Sequence, residues 1–144
     1  AVTPANGYKN LDALVFDMVN NLIDPWYRED TELVAIMGRD LLADKYFPLI
    51  NSVQPATEKI ATDLIVSQKR VGGLQAVRAP NFPAGAILIT RYDNLSRYYQ
   101  EGARRRTIID NPKRDQIENY ESSNDAYVVE DYGLAALAEN ITLA

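Results

Sequence analysis

Six apolar residues near the start decide what kind of fold this chain can adopt. Leu11, Leu14, Val15, Met18, Leu22 and Ile23 recur at helical spacing and form one stripe. A helix with a single apolar stripe must bury it against another layer. Asn10 is placed to cap its start, and Asp12 lies in the first turn, where a negative charge suits the helix dipole. Pro25 disfavours helix at Asp24, so the pattern predicts a helix over residues 11–23. Residues 32–37 then form a short apolar run closed by Gly38, a length that favours a buried strand. Residues 40–47 read as a second helix, which Pro48 stops or kinks. Helix, strand and helix in that order call for a sheet with helices packed on it, an α+β fold.

Further along, residues 57–61 read as a single helical turn capped by Thr57, and Leu64-Ile65-Val66, with its β-branched pair, as a strand. Gly72-Gly73 marks a turn, residues 74–78 a strand stopped by Pro80, and residues 86–90 another strand after the turn at Phe82-Pro83-Ala84-Gly85. Residues 93–99 read as a short helix capped by Asp93. The composition shifts at about Gly102. Residues 106–109 form a strand, residues 110–113 a turn, residues 116–120 alternate loosely, and residues 126–130 form a strand after the polar stretch 121–125. Residues 134–139 have helical propensity, but their short length and terminal position also allow a strand. No internal repeat or low-complexity segment interrupts the chain. A hairpin too polar to bury itself leans on something else, and a neighbouring subunit is one candidate.

The residue inventory narrows the chemistry. The 144 residues contain no cysteine and no histidine. Disulfides, thiolate catalysis and cysteine-held zinc are thereby excluded, together with the commonest general base and metal ligand. No run of 18 apolar residues exists to span a membrane. The net charge of -5 argues against strong nucleic-acid binding, which draws its affinity from phosphate neutralisation. The chain opens on Ala1 rather than Met, followed by a loop over residues 1–9, and is expected to be a piece of a longer protein.

Three constellations invite a functional reading. Arg104, Arg105 and Arg106, with Lys113 and Arg114 across a turn, form one basic cluster. They suit phosphate contact, or a charged hairpin face that pairs with Glu118, Glu121, Asp125, Glu130 and Asp131, within the subunit or between subunits. The acids nearby favour the second. Asp24, Glu29, Asp30 and Glu32 surround Trp26-Tyr27, and two carboxylates by an aromatic wall suit acid–base hydrolysis. The spacing of a calcium loop is absent there, and a solvated loop with Trp26 as its anchor is the plainer reading. Tyr98, Tyr99, Tyr120, Tyr127 and Tyr132 gather in the last third, where tyrosine suits either base stacking or a protein interface. The charge agrees with the interface. Gly72-Gly73 lacks the spacing of a nucleotide-binding loop. No cofactor or metal site is expected.

The order of segments resembles the major capsid proteins of tailed phages with the HK97-like shell fold, and among them the Peduovirus-type family. The similar residues include Leu11-Asp12-Ala13-Leu14-Val15, Asn20-Asn21-Leu22-Ile23, Pro25-Trp26-Tyr27 with Glu29-Asp30, and Leu41-Leu42-Ala43-Asp44-Lys45-Tyr46-Phe47-Pro48. They continue through Ser67-Gln68-Lys69-Arg70, Ala76-Val77-Arg78 with Pro80 and Phe82-Pro83, Leu88-Ile89-Thr90 and Asn94-Leu95-Ser96. Glu118-Asn119-Tyr120-Glu121-Ser122 and Tyr127-Val128-Val129-Glu130-Asp131-Tyr132 complete the series. No piece is a chemical motif; the collinear run from Tyr8 to Ile141 carries the resemblance.

The resemblance implies a fragment of the HK97-like capsid fold: an axial-domain mixed sheet flanked by helices, plus a protruding peripheral-domain β-hairpin. It places the axial domain over residues 10–101, the peripheral-domain strands over 102–132, and a strand returning to the axial domain over 133–144. The family's N-terminal arm, extended loop and spine helix would precede Ala1. The implied function is structural and not enzymatic: self-assembly through hexamers and pentamers into an icosahedral head shell. Scaffolding and portal proteins would be partners, with no specific nucleic acid and no membrane. The protein would be made in the host cytoplasm and reside in the virion. Arg104, Arg105, Arg106, Lys113, Arg114, Glu118, Tyr120 and Glu121 are then the expected inter-subunit contacts, with a nucleic-acid-binding module using Arg104 to Arg106 as the alternative. Without a spine helix to pack on, the hairpin should leave this chain a monomer or a small oligomer by itself.

Overall fold

The computed structural model describes residues 7–52 and 55–142, so residues 1–6 of the expected opening loop lie outside it. Along the chain run helix α1 (Leu11–Leu22), strand β1 (Val34–Met37), helices α2 (Arg39–Asn51) and α3 (Ala56–Gln68), and strands β2 (Arg70–Val71), β3 (Leu74–Arg78), β4 (Ile87–Thr90), β5 (Leu95–Tyr99), β6 (Arg105–Asn111), β7 (Gln116–Ser122), β8 (Asp125–Val129) and β9 (Ala136–Ala138). They fall into two units. The first is Ala1–Asn94 with Asp131–Ala144, and the second is Leu95–Glu130.

The first unit is built on a five-stranded mixed sheet in the order β2-β3-β1-β4-β9. All four residues of β1 are buried, as a central strand covered on both faces should be. It runs parallel to β3 and antiparallel to β4, so the chain between β1 and β3 must cross over, and α2 and α3 make that crossing. Within residues 134–139, Ala136–Ala138 return as β9, paired antiparallel with β4, as the resemblance implied and against the local helical propensity.

Helix α1 forms where its stripe predicted. The Asn10 side chain accepts from the Ala13 amide at 2.8 Å, satisfying one of the amides a helix start leaves open. Val15, Met18, Val19 and Ile23 are the residues of this segment buried in the core, joined there by Ala35, Met37, Leu41, Leu42, Tyr46, Val71, Ile87 and Ile89. Leu22 stays on the exposed side of the stripe. Each fully buried Ile or Val of this cluster contributes about 1.5–3 kcal/mol relative to exposure. Asp12 ties α1 to its neighbours: its Oδ1 accepts from the Gly72 amide at 2.7 Å and from Lys45 Nζ at 2.6 Å.

Four local expectations are corrected. Residues 57–61 are not a single turn capped by Thr57, which lies within α3, whose N-cap is Pro55. Leu64-Ile65-Val66 is not a strand; it lies in α3, which runs unbroken to a left-handed Lys69. No glycine or proline interrupts residues 56–68, and a cooperative helix overrides the strand preference of two β-branched residues. Pro48 does not end α2, which continues to Asn51. Its ring is on the exposed side, where water can serve the carbonyl that loses its amide partner. Residues 95–99 are strand rather than helix, since only Tyr92–Asn94 forms a short 3-10 turn. The carboxylate of Asp93 is held by Arg91 instead of capping a helix.

Candidate assembly surface

The second unit is made entirely of two-stranded ladders. β5 pairs antiparallel with β8, and β6 with β7. Five residues, 100–104, interrupt one side of the ribbon opposite Ser123 and Asn124 on the other. The Gln100 amide donates to the Asn124 carbonyl at 3.0 Å across that break, and Gly102 takes a positive φ of 76° that a side chain would resist. The shift of composition at Gly102 thus lies inside this unit.

Strand register sorts the β6–β7 side chains onto two faces, because directly opposed residues share a face. One face carries Arg106 opposite Glu121, Ile108 opposite Asn119, and Asp110 opposite Ile117. Arg106 Nε lies 3.3 Å from Glu121 Oε1 and donates to Asn119 Oδ1 at 3.2 Å. The other face centres on Glu118. Its carboxylate accepts from Asn111 at 3.0 Å, Gln116 at 3.1 Å and the Tyr120 hydroxyl at 2.7 Å. Those donors, Asn111 first, hold Glu118 below the usual carboxylate range, and the same bond raises the Tyr120 phenol.

Neither face is covered within the unit. Ile108 is 61% exposed and Ile117 74%, and Tyr98, Tyr99, Tyr120 and Tyr127 are each more than half exposed. On the β5–β8 ladder Arg97 pairs with Asp125 at 2.6 Å and lies over the Tyr127 ring. Tyr98 donates to Glu130 at 2.6 Å, which lowers the Glu130 pKa and raises that of Tyr98.

The basic residues do not form one cluster. Arg104 precedes β6, Arg105 and Arg106 point to opposite faces of it, and Lys113 and Arg114 sit in the turn at its far end. The seven residues of β6 separate the two groups by roughly 20 Å. The expected partners are also spoken for elsewhere: Asp125 by Arg97, Glu130 by Tyr98, and Asp131 by Tyr27 in the first unit. Among the described residues, Arg106 is the one member of the group with a carboxylate in ion-pair range.

The carboxylates around Trp26 do not converge either. Trp26 is 73% exposed, with its ring edge-on to Tyr27 at 6.1 Å between centroids; Tyr27 is the anchor, half-buried and bonded through its hydroxyl to Asp131 Oδ2 at 2.9 Å. Asp24 is bonded through its amide to the Gly133 carbonyl. Asp30 accepts from the Glu32 amide and from Arg91 Nη1, both at 2.9 Å. These two donors lower the Asp30 pKa, and Arg91 lowers that of Asp93. A general acid needs the opposite shift. Asp30, Glu29 and Glu32 line an open groove of about 710 Å³ with Arg28, Arg70 and Arg91. Among the described residues no three carboxylates gather to hold a metal ion.

The sequence pointed to charge and missed the apolar part of this surface. Ile108 and Ile117 read as ordinary strand residues, because alternation does not tell whether a second layer exists to cover them. The Arg91 network was missed as well, since its partners come from distant segments.

Comparison with known proteins agrees with the segment order. The family model described as phage major capsid protein, P2 family, matches residues 1–141. The capsid proteins of Escherichia phage P2 are 59% identical over 134 residues, 93% of this chain and 38% of that protein. The major capsid protein of Serratia phage KSP20 is 46% identical over 140 residues, 95% of this chain and 40% of that protein. Among solved structures, a chain from the satellite phage P4 procapsid that includes the size determination (Sid) protein superposes with a TM-score of 0.87 at 51% identity. That match covers 99% of this chain and 46% of the other. The chain therefore spans about two fifths of the length of the curated relatives it matches. It belongs to the P2 family of phage major capsid proteins.

Proposed function

We propose that this chain is part of a head-shell subunit that works by mating with copies of itself. Residues 10–101 and 133–144 serve as its axial domain and residues 102–132 as peripheral-domain strands. The observation that carries the reading is a two-stranded unit whose faces stay uncovered among the described residues, exposing Ile108, Ile117 and four tyrosines beside Arg104 and Arg105, which have no carboxylate in ion-pair range among those residues. Isolated two-stranded ribbons are marginal in water, and large exposed apolar surface marks an interaction site. Arg104, Arg105, Arg106, Lys113, Arg114, Glu118, Tyr120 and Glu121 are the proposed inter-subunit contacts.

The shell is icosahedral, built from hexamers and pentamers, with scaffolding and portal proteins as further partners. The protein is made in the host cytoplasm and ends in the virion. Its role is structural rather than catalytic. A nucleic-acid-binding role is the weaker alternative, given a net charge of -5 and a basic group split between two ends of a strand. Sedimentation of the full-length protein, with and without changes at these contacts, tests the proposal. Loss of large particles on changing Ile108, Ile117 or Arg105 supports it. Unaltered particles, or a salt-sensitive gel shift with DNA that depends on Arg104 to Arg106, count against it.

A further inference from the structure

Asn94 is the last residue of the first unit before the chain leaves it, and Asp131 is the first after the chain returns. The Asn94 side chain joins the two. Its Nδ2 donates to the Asp131 carbonyl at 2.9 Å, and its Oδ1 accepts from the Asp131 amide at 2.7 Å. This paired exchange is what two hydrogen-bonded antiparallel residues make with their backbones. Here a side-chain amide, which has a donor and an acceptor on adjacent atoms, supplies one half of it. Nδ2 also donates to Thr90 Oγ1 at 3.0 Å, at the end of strand β4 of the sheet. Asn94 is 3% exposed and Thr90 0%.

Asp131 is fixed in turn from its other side. Its carboxylate accepts from the Tyr27 hydroxyl at 2.9 Å and the Gly133 amide at 2.8 Å. The Gly133 carbonyl accepts from the Asp24 amide at 3.0 Å, and a side chain at position 133 would run into the Asp24 carboxylate. The outgoing and returning segments are therefore tied to each other, to β4, and to the loop after α1.

We propose that Asn94 is a clasp that keeps the root of the two-stranded unit closed from within the first unit. A ribbon with no third strand opens from its ends, where least is buried. A buried amide with only some of its bonds made is costly, so the clasp is held shut or lost as a whole. In a shell this would keep strain applied to the ribbon from peeling its two strands apart at their base. That use rests on the self-association reading, but the clasp is testable on the chain alone, so one can fail without the other.

Hydrogen exchange in graded denaturant tests it. Three amides report: Asp131 on the clasp, Gln100 on the ribbon through its bond to Asn124, and Ala79 on the sheet through its bond to Met37 at 3.2 Å. In the unaltered chain, Asp131 should follow Ala79 and exchange at least about tenfold more slowly than Gln100. Asp131 following Gln100 instead would overturn the proposal. Asn94→Asp keeps the size and removes the Nδ2 donor. It should speed exchange across β5 and β8 by about tenfold or more while Ala79 keeps its protection. Unchanged exchange across β5 and β8 would overturn the clasp, and so would loss of protection at Ala79, which would make Asn94 an ordinary core residue.

Discussion

Arg106 and Glu121 face each other across the β6–β7 ladder, with 3.3 Å between guanidinium and carboxylate, whereas Arg105 one residue earlier faces the uncharged Ser122. The first arginine has an internal partner and the second does not. Exposed ion pairs of this kind contribute little to stability, because water screens them and two long side chains must be held in place. Arg106→Glu and Arg105→Glu should therefore both leave the thermal midpoint of this chain almost unchanged. Combining Arg106→Glu with Glu121→Arg restores the internal pair. If Arg106 also meets a neighbour, that double change should still impair particle formation by the full-length protein. Calorimetry paired with sedimentation separates the two roles.

Ile108 and Ile117 lie diagonally across one face of the same ladder, both mostly exposed. Replacing each with Asp should change the stability of the chain by no more than about 0.5 kcal/mol, as for other surface positions. The same changes should abolish large particles in the full-length protein, because a charge would be buried without a partner at the contact. Denaturant titration and sedimentation of the double variant give the two readings.

Gly72 holds α1 against the β2–β3 turn. It has a φ of 57°, and a Cβ there would sit 2.7 Å from Val15 Cγ1. Gly72→Ala combines strain with overpacking and should cost about 1–3 kcal/mol, read as a lower denaturant midpoint at unchanged slope. Val15→Ala in the same chain should relieve the crowding but not the strained φ, so the double variant should not recover full stability.

Stability against pH should show a broad plateau. Asp30, Asp93, Glu118 and Glu130 all have lowered pKa values. Each contributes stability that is present above its unfolded value near ~4 and is lost as pH falls through the lower folded value. Tyr8, Tyr27, Tyr46, Tyr98 and Tyr120 have raised values, Tyr46 mainly through burial and the rest mainly through a carboxylate acceptor. Their contribution is complete below ~10 and is lost as pH rises through the folded values. Without histidine or cysteine, no side chain has its ordinary titration between about pH 5 and 8. Thermal midpoints should be flat across that range and fall on both sides of it. A step near pH 6.5 would contradict this.

The first unit was largely legible in the sequence because its elements carry local signals. The α1 stripe, the apolar run of β1 and the turn at Gly72-Gly73 all formed where their patterns placed them. The misreadings came where local preference met a longer-range competitor. Ile65 and Val66 favour strand but sit in an unbroken helix, and Asp93 resembles a cap but is claimed by Arg91. The return of residues 136–138 to the sheet edge was readable only from the resemblance, since an Ala-Leu-Ala segment has no strand preference of its own. For the surface, charge was visible and its arrangement was not. The sequence neighbours Arg105 and Arg106 fall on opposite faces, and Lys113 and Arg114 lie a full strand away. Asn94 gave no signal, because its partner Asp131 lies 37 residues on.

The central claim is that the uncovered ribbon is a surface for mating with other copies of the subunit. Electron microscopy of the full-length protein, co-expressed with the proposed scaffolding partner, tests it most directly. The account predicts closed shells from the unaltered protein, none from the Ile108→Asp, Ile117→Asp variant, and no shell-sized species from this chain alone. Normal shells from the variant would contradict it.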